Sequence, residues 1–173
     1  SSAASDVYKR QFKGTVEENL KMAKPDATKE EMEAVLQKVN LLGFLQTQDG
    51  LQTQLLEKAS NLSGGQCQRL VIARALLRTD SAVYIFDEAA SNIDVESEEL
   101  IMNVIHELAK TKTVLLISHR LANVVRSDKI YFLKDGEIKE SGKHDELMSQ
   151  NGAYRHLYES QMALENYGKG GMA

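Results

Sequence analysis

A chain of 173 residues, 42% hydrophobic and 27% charged, has the makeup of one ordinary globular domain. Its net charge of −4 argues against a nucleic-acid-binding surface, and no apolar stretch approaches the roughly 20 residues that span a bilayer. The single cysteine, Cys67, cannot close an internal disulfide, which fits a reducing cytosol, and no signal-peptide pattern is present.

Residues 1–10 are small and polar, without helical or strand period. They are set apart as a non-native scar or a disordered terminus. Residues 11–78 read as a helical subdomain. Thr15-Val16-Glu17-Glu18-Asn19-Leu20 opens an acidic first turn. Thr28, three residues before Glu31, makes a capping-box pattern ahead of Met32, Val35, Leu36 and Val39. Then comes Leu62-Ser63-Gly64-Gly65-Gln66, at the head of a helix predicted from Gln66 to Arg78.

Residues 79–165 read as α/β. Ala82 to Phe86 is a continuous apolar run, expected for a strand covered on both faces, and it ends in Asp87-Glu88. Val95 to Ala109 is an amphipathic helix, and Thr113 to Ile117 a second buried strand. Helix, strand, helix, strand implies a parallel sheet. Asp135-Gly136 between Lys129–Lys134 and Glu137–Ser141 signals a hairpin. Asp145–Met148 and Ala153–Glu165 read as helices, and residues 166–173 as a frayed tail.

Three features carry chemistry. Ser63 can cap its helix and offer a hydroxyl to a phosphate oxygen, while Gly64 and Gly65 allow close backbone approach by an anion to the helix start. Asp87 and Glu88 end a strand where open α/β sheets place ligands, and paired carboxylates suit a magnesium ion and an attacking water. His119, in Ser118-His119-Arg120, follows the second strand. The plainer alternatives are a capped helix after a glycine turn, two acids capping the helix near Val95, and a structural histidine. His106, His144 and His156 read as surface. Cys67 is either a thiol made reactive by a helix N-terminus or a small half-buried residue.

In this order the motifs resemble the ABC-type ATPase domain: signature, Walker B strand, D-loop Ser91-Asn92-Ile93-Asp94, and switch histidine. Phe12-Lys13-Gly14-Thr15-Val16-Glu17-Glu18-Asn19 and Ser118-His119-Arg120-Leu121 resemble the exporter type, in which permease and ATPase are fused. Ala90 departs from the family's usual Thr, and Gln11 is left unassigned as the Q-loop glutamine. The phosphate-cradling pattern G-x-x-x-x-G-K-S/T is missing. Its nearest approach, Gly142-Lys143-His144, follows a hairpin and has Glu137 in place of the first glycine. The resemblance therefore implies the C-terminal part of such a domain: a truncated P-loop NTPase-like parallel sheet with an all-helical signature subdomain.

The resemblance further implies ATP and Mg2+ as cofactors. Asp87 would organise the metal, Glu88 would polarise the attacking water, and His119 would donate to the γ-phosphate. Ser63, Gly64, Gly65, Gln66 and Asp94 would contact nucleotide. The signature would face nucleotide held by a second ABC ATPase domain, in a homo- or heterodimer, because a helix roughly 20 Å long separates it from the Walker B strand. A membrane-spanning permease domain would be the other partner, at the cytoplasmic face of the cell membrane. Two rivals stand beside this reading: a soluble non-transport ABC ATPase, and a degenerate non-catalytic partner domain.

Overall fold

The computed structural model of the chain describes residues 13–91 and 93–170. Residues 1–10, Gln11, Phe12, Asn92 and residues 171–173 at the end of the expected tail lie outside the described residues. The elements fall into two units divided between Ile117 and Ser118.

In the first unit, β1 (Gly14–Thr15) leads into α1 (Val16–Lys21). Thr15 Oγ1 accepts the Glu18 N–H at 3.0 Å, and the Glu18 carboxylate accepts the Thr15 N–H at 2.7 Å. This exchange satisfies two donors, one of them an amide that a helix start leaves unpaired. Thr28 and Glu31 repeat it at the start of α2 (Lys29–Lys38), at 3.2 and 3.0 Å, as their spacing predicts. Helix α2 buries Met32, Val35 and Leu36, and α3 (Leu42–Gln46) adds Leu45. The strand β2 (Gln54–Leu55) pairs antiparallel with β1. This ladder is an addition to the all-helical reading, since two residues per strand are too few for alternation to show in a sequence.

The signature stretch opens α4 (Gly64–Leu76), which buries Leu70, Ile72 and Ala73. Next come β3 (Val83–Asp87), α5 (Val95–Ala109) and β4 (Thr113–Ile117). β3 and β4 pair parallel from Val83↔Thr113 to Asp87↔Ile117, as the order of elements predicts. One contiguous core runs from Leu20, Leu36 and Leu45 through Leu70 to Phe86, Ile101 and Ile105. Tyr84 and Phe86 belong to it, and Val114 and Leu116 pack against it.

The expectation of strands covered on both faces is corrected. Successive side chains point to opposite faces of a strand. Val83, Ile85, Leu115 and Ile117, opposite the core face, are 55%, 64%, 49% and 46% exposed. Among the described residues, only the Tyr84–Phe86 face has cover.

In the second unit, β5 (Ile130–Lys134) and β6 (Glu137–Gly142) form the expected hairpin, with a bulge between Phe132 and Leu133. Asp135 and Gly136 have φ of 54° and 78°, both positive as a type I′ turn requires. Helix α6 (His144–Gln150) ends at Asn151 in the left-handed conformation, and α7 (Ala153–Gly170) follows. The Glu140 carboxylate caps α7, accepting the Ala153 N–H at 2.5 Å and the Tyr154 N–H at 3.2 Å. The fully buried Tyr154 packs edge-on to Phe132, and its hydroxyl lies 2.8 Å from His144 Nδ1.

His144 is thus tied to the core of its unit, not displayed on the surface as the sequence suggests. His106 on α5 is likewise half-buried, with both ring nitrogens shielded from solvent. His156 is exposed, as expected. No helix among the described residues is long and apolar enough to cross a membrane.

Candidate functional site

The start of α4 is built by local hydrogen bonding. Ser63 Oγ accepts the Gln66 N–H at 3.2 Å, and Gln66 Oε1 accepts the Ser63 N–H at 2.8 Å. The Gln66 side chain is therefore engaged in holding the turn. The Ser63 hydroxyl, accepting from the helix, keeps its own proton to donate. The amides of Gly64 and Gly65 are among those that a helix start leaves without an intrahelical acceptor.

The two glycines are not equivalent. Gly64 is exposed and Gly65 is buried. A Cβ on Gly65 would strike Ser97 Oγ and lie 2.9 Å from Ser97 Cβ and 3.2 Å from Asp94 Oδ2. The start of α4 thus sits directly against the start of α5. Arg69 ties the same turn to the helical segment, donating from Nε to the Gly65 carbonyl at 3.3 Å and from Nη1 to the Asn40 carbonyl at 3.1 Å.

Asp94 caps α5, its Oδ1 accepting the Ser97 N–H at 2.8 Å. That amide first, and then the Ser97 hydroxyl, hold the Asp94 carboxyl below its usual range. The N-cap role that the sequence left open is therefore present, and it places Asp94 beside the signature turn.

Asp87 closes β3 and Glu88 follows it directly, both exposed. The Glu88 amide donates to the Ile117 carbonyl at 2.9 Å, extending the parallel ladder by one step, and the Glu88 carbonyl accepts from Ser91 N–H at 3.0 Å. Between these bonds Glu88 has φ of 49°. Non-glycine residues seldom adopt this left-handed conformation, and it concentrates where a surrounding structure forces a side chain into a working direction. Ala89 and Ala90 behind it are buried, so the position where the family usually has Thr holds only a methyl group.

Among the described residues no group of three metal-ligating side chains converges. Magnesium does not need one, since it takes one or two protein carboxylates and fills its octahedron with waters and phosphate oxygens. Exposed Asp87 at a strand end, with Glu88 next to it, fits that demand.

Cys67 is half-buried. Its thiol lies 3.7 Å from the Ala59 carbonyl, and burial pushes its pKa up. Burial outweighs the helix N-terminus in that shift, which favours the plainer of the two readings, a small half-buried residue. In the second unit, His119 is exposed and its backbone carbonyl accepts from Gln161 Nε2 at 2.7 Å.

The structure therefore gathers Ser63, Gly64, Gly65, Gln66 and Asp94 about one pair of helix starts. It places Asp87 and Glu88 at the end of β3 in the same unit, and His119 in the other. Sequence reasoning missed Ser97 and Arg69. Ser97 carries the signal of a polar residue three after an N-cap, but nothing in sequence points it at a glycine 32 positions earlier.

A parallel strand pair whose first strand runs into two carboxylates, in the same unit as a glycine-led helix start, fits a nucleotide-binding domain of the ABC type. The family profile described as ABC transporter matches residues 4–91, and the chain belongs to that family. It is 53% identical over 154 residues, 89% of this chain and 27% of that protein, to an uncharacterized ABC transporter ATP-binding protein of Haemophilus influenzae. It is 43% identical, over 87% of this chain and 26% of that protein, to an ATP-dependent lipid A-core flippase of Mannheimia succiniciproducens. A Staphylococcus aureus protein named for multidrug export as an ATP-binding/permease protein is 41% identical, over 87% of this chain and 26% of its own length. Among solved structures, a bacterial Atm1-family ABC exporter with ATP bound superposes with a TM-score of 0.80 at 29% identity, covering 88% of this chain and 27% of that one. The chain thus spans about a quarter of the length of these relatives. What it carries is ATPase-domain sequence of the exporter type, in an α/β fold as the motifs imply.

Proposed function

We propose that this chain is the signature and Walker B portion of an ATP-hydrolysing motor that works as a head-to-tail dimer. Its place is at the cytoplasmic face of a membrane, joined to a membrane-spanning permease. The observation that carries the reading is the left-handed Glu88 at the end of a parallel strand, in the same unit as a capped Ser-Gly-Gly helix start. The combined ATP-binding/permease name of the Staphylococcus relative supports the permease partner.

Asp87 would hold Mg2+, which when bound offsets charge on the phosphates. Glu88 orients and polarises the attacking water, and His119 donates to the γ-phosphate. In phosphoryl transfer, positioning and charge stabilisation supply nearly all the catalysis. Ser63 donates its hydroxyl proton, and Gly64 and Gly65 their amides, to the phosphates of nucleotide held by the facing domain. Asp94 shapes the loop that crosses between domains. The chain holds no G-x-x-x-x-G-K-S/T sequence, so by itself it binds ATP weakly and releases no phosphate.

Two measurements test this. In the complete permease–ATPase chain, Glu88→Gln removes a charge and keeps the shape, so turnover is lost while ATP stays bound. A variant hydrolysing near the parental rate would show that Glu88 is not the water-polarising group. In a Cys67→Ala background, Ser63→Cys should cross-link to the partner's phosphate-binding loop only with ATP present, and failure to do so refutes the facing-domain arrangement.

A further inference from the structure

The C-terminal helix reaches the loop of His119 through two side chains one helical turn apart. Gln161 and Glu165 are four residues apart on α7, so they share a face. Gln161 Nε2 donates to the His119 carbonyl at 2.7 Å, and Gln161 Oε1 accepts the Leu121 N–H at 2.9 Å. Glu165 Oε1 meets Arg120 Nη2 at 3.0 Å. Three consecutive residues, 119 to 121, are thus held by one face of one helix.

The orientation of the Gln161 amide is set by its partners: a carbonyl needs the NH2 and an amide N–H needs the oxygen. Ser118 stiffens the loop from the other side, its hydroxyl oxygen accepting the Arg120 N–H and its proton going to the Arg120 carbonyl, each at 3.0 Å. The Arg120–Glu165 pair is more than a third exposed on both sides, and ion pairs of that kind contribute little. The two bonds of Gln161 dominate the clamp.

We propose that Gln161 is a positioning residue for His119, fixing the backbone on either side of Arg120 so that the imidazole is presented at one height and direction. The proposal rests on the reading of His119 as the γ-phosphate donor. Any displacement of α7 would then be felt at His119, since both amide bonds run from the helix directly to the loop.

Gln161→Met keeps length and bulk and removes both hydrogen bonds. In the complete permease–ATPase chain we expect its kcat for ATP to fall about tenfold while KM changes less than about twofold, because the lost contacts serve orientation and not nucleotide affinity. A His119→Ala/Gln161→Met double variant should be no slower than His119→Ala, since Gln161 acts through His119. In the present chain, hydrogen exchange at the Leu121 amide should speed up in Gln161→Met.

Parental kcat in Gln161→Met beside a slow His119→Ala overturns the clamp. So does a double variant slowed by the product of the two effects. Parental kcat in His119→Ala overturns the reading beneath the proposal, and the proposal with it. Should Gln161→Met fail to fold, Gln161→Glu keeps the acceptor for Leu121 N–H but sets a carboxylate against the His119 carbonyl. It should leave the Leu121 amide protected and lower kcat, and parental kcat there again overturns the proposal.

Discussion

Gly65→Ala separates two explanations of the second signature glycine, close approach by a ligand and packing within its own domain. The new methyl would run into Ser97 Oγ and sit 2.9 Å from Ser97 Cβ. Ser97 cannot swing aside freely: it is 5% exposed, and its amide is bonded to Asp94. Overpacking of this kind costs about 1–3 kcal/mol, and a central value of about 2 is used. Replacing a helical glycine by alanine returns roughly 0.5–1 kcal/mol, which leaves a net loss of about 1–1.5 kcal/mol. At about 2–4 °C per kcal/mol for a chain of this size, Tm falls by about 2–6 °C. Thermal unfolding of this chain, with no nucleotide added, is the assay. Ser97→Gly removes both clashing atoms, so in that background Gly65→Ala should cost nothing, a coupling of about 1 kcal/mol or more in a double-mutant cycle. An unchanged or raised Tm in Gly65→Ala refutes the packing argument, and so does the same loss with Ser97→Gly already in place.

Other outcomes follow from single contacts. Because burial raises its pKa, the Cys67 thiol should react with iodoacetamide at neutral pH far more slowly than a free thiol, and reach the free rate only in denaturant. The Asp94 carboxyl is depressed in the folded chain, so its contribution is complete above the unfolded value of about 3.9 and is lost as pH falls through the lower folded value. The stability gap between the parent and Asp94→Asn in urea should therefore be present at pH 7 and close in strongly acid solution. A gap that persists there rejects the linkage. Tyr154→Phe removes a hydroxyl 2.8 Å from His144 Nδ1 in a fully buried position, and should destabilise the second unit by about 1 kcal/mol in denaturant melts.

What was legible in the sequence was local chemistry. Thr28 with Glu31, Ser63 ahead of its helix, Asp94 as a cap and Asp135-Gly136 as a turn act over two to four residues, and all form as their spacing implies. The order of helices and strands gave the parallel pairing of β3 and β4. Contacts that join distant segments were not legible. Ser97 meets Gly65, Gln161 meets His119 and Leu121, and Tyr154 meets His144 because packing brings them together, and none leaves a periodic trace. The strand faces failed for a different reason. A run such as Val83 to Phe86 records that both faces are apolar, and says nothing of which face is covered among these residues.

On the proposed reading of Glu88 as the group that polarises the attacking water, its left-handed backbone would set stability and catalysis against each other. A residue other than glycine in this conformation costs about 1–2 kcal/mol, and asparagine tolerates it better than glutamate does. Glu88→Asn should therefore yield a chain somewhat harder to unfold and a motor that no longer turns over. On that reading, selection for activity would be what keeps glutamate there. A copy released from that selection would drift toward asparagine or glycine with no harm to its fold, and the residue at this one turn would then mark whether a lineage still uses the site.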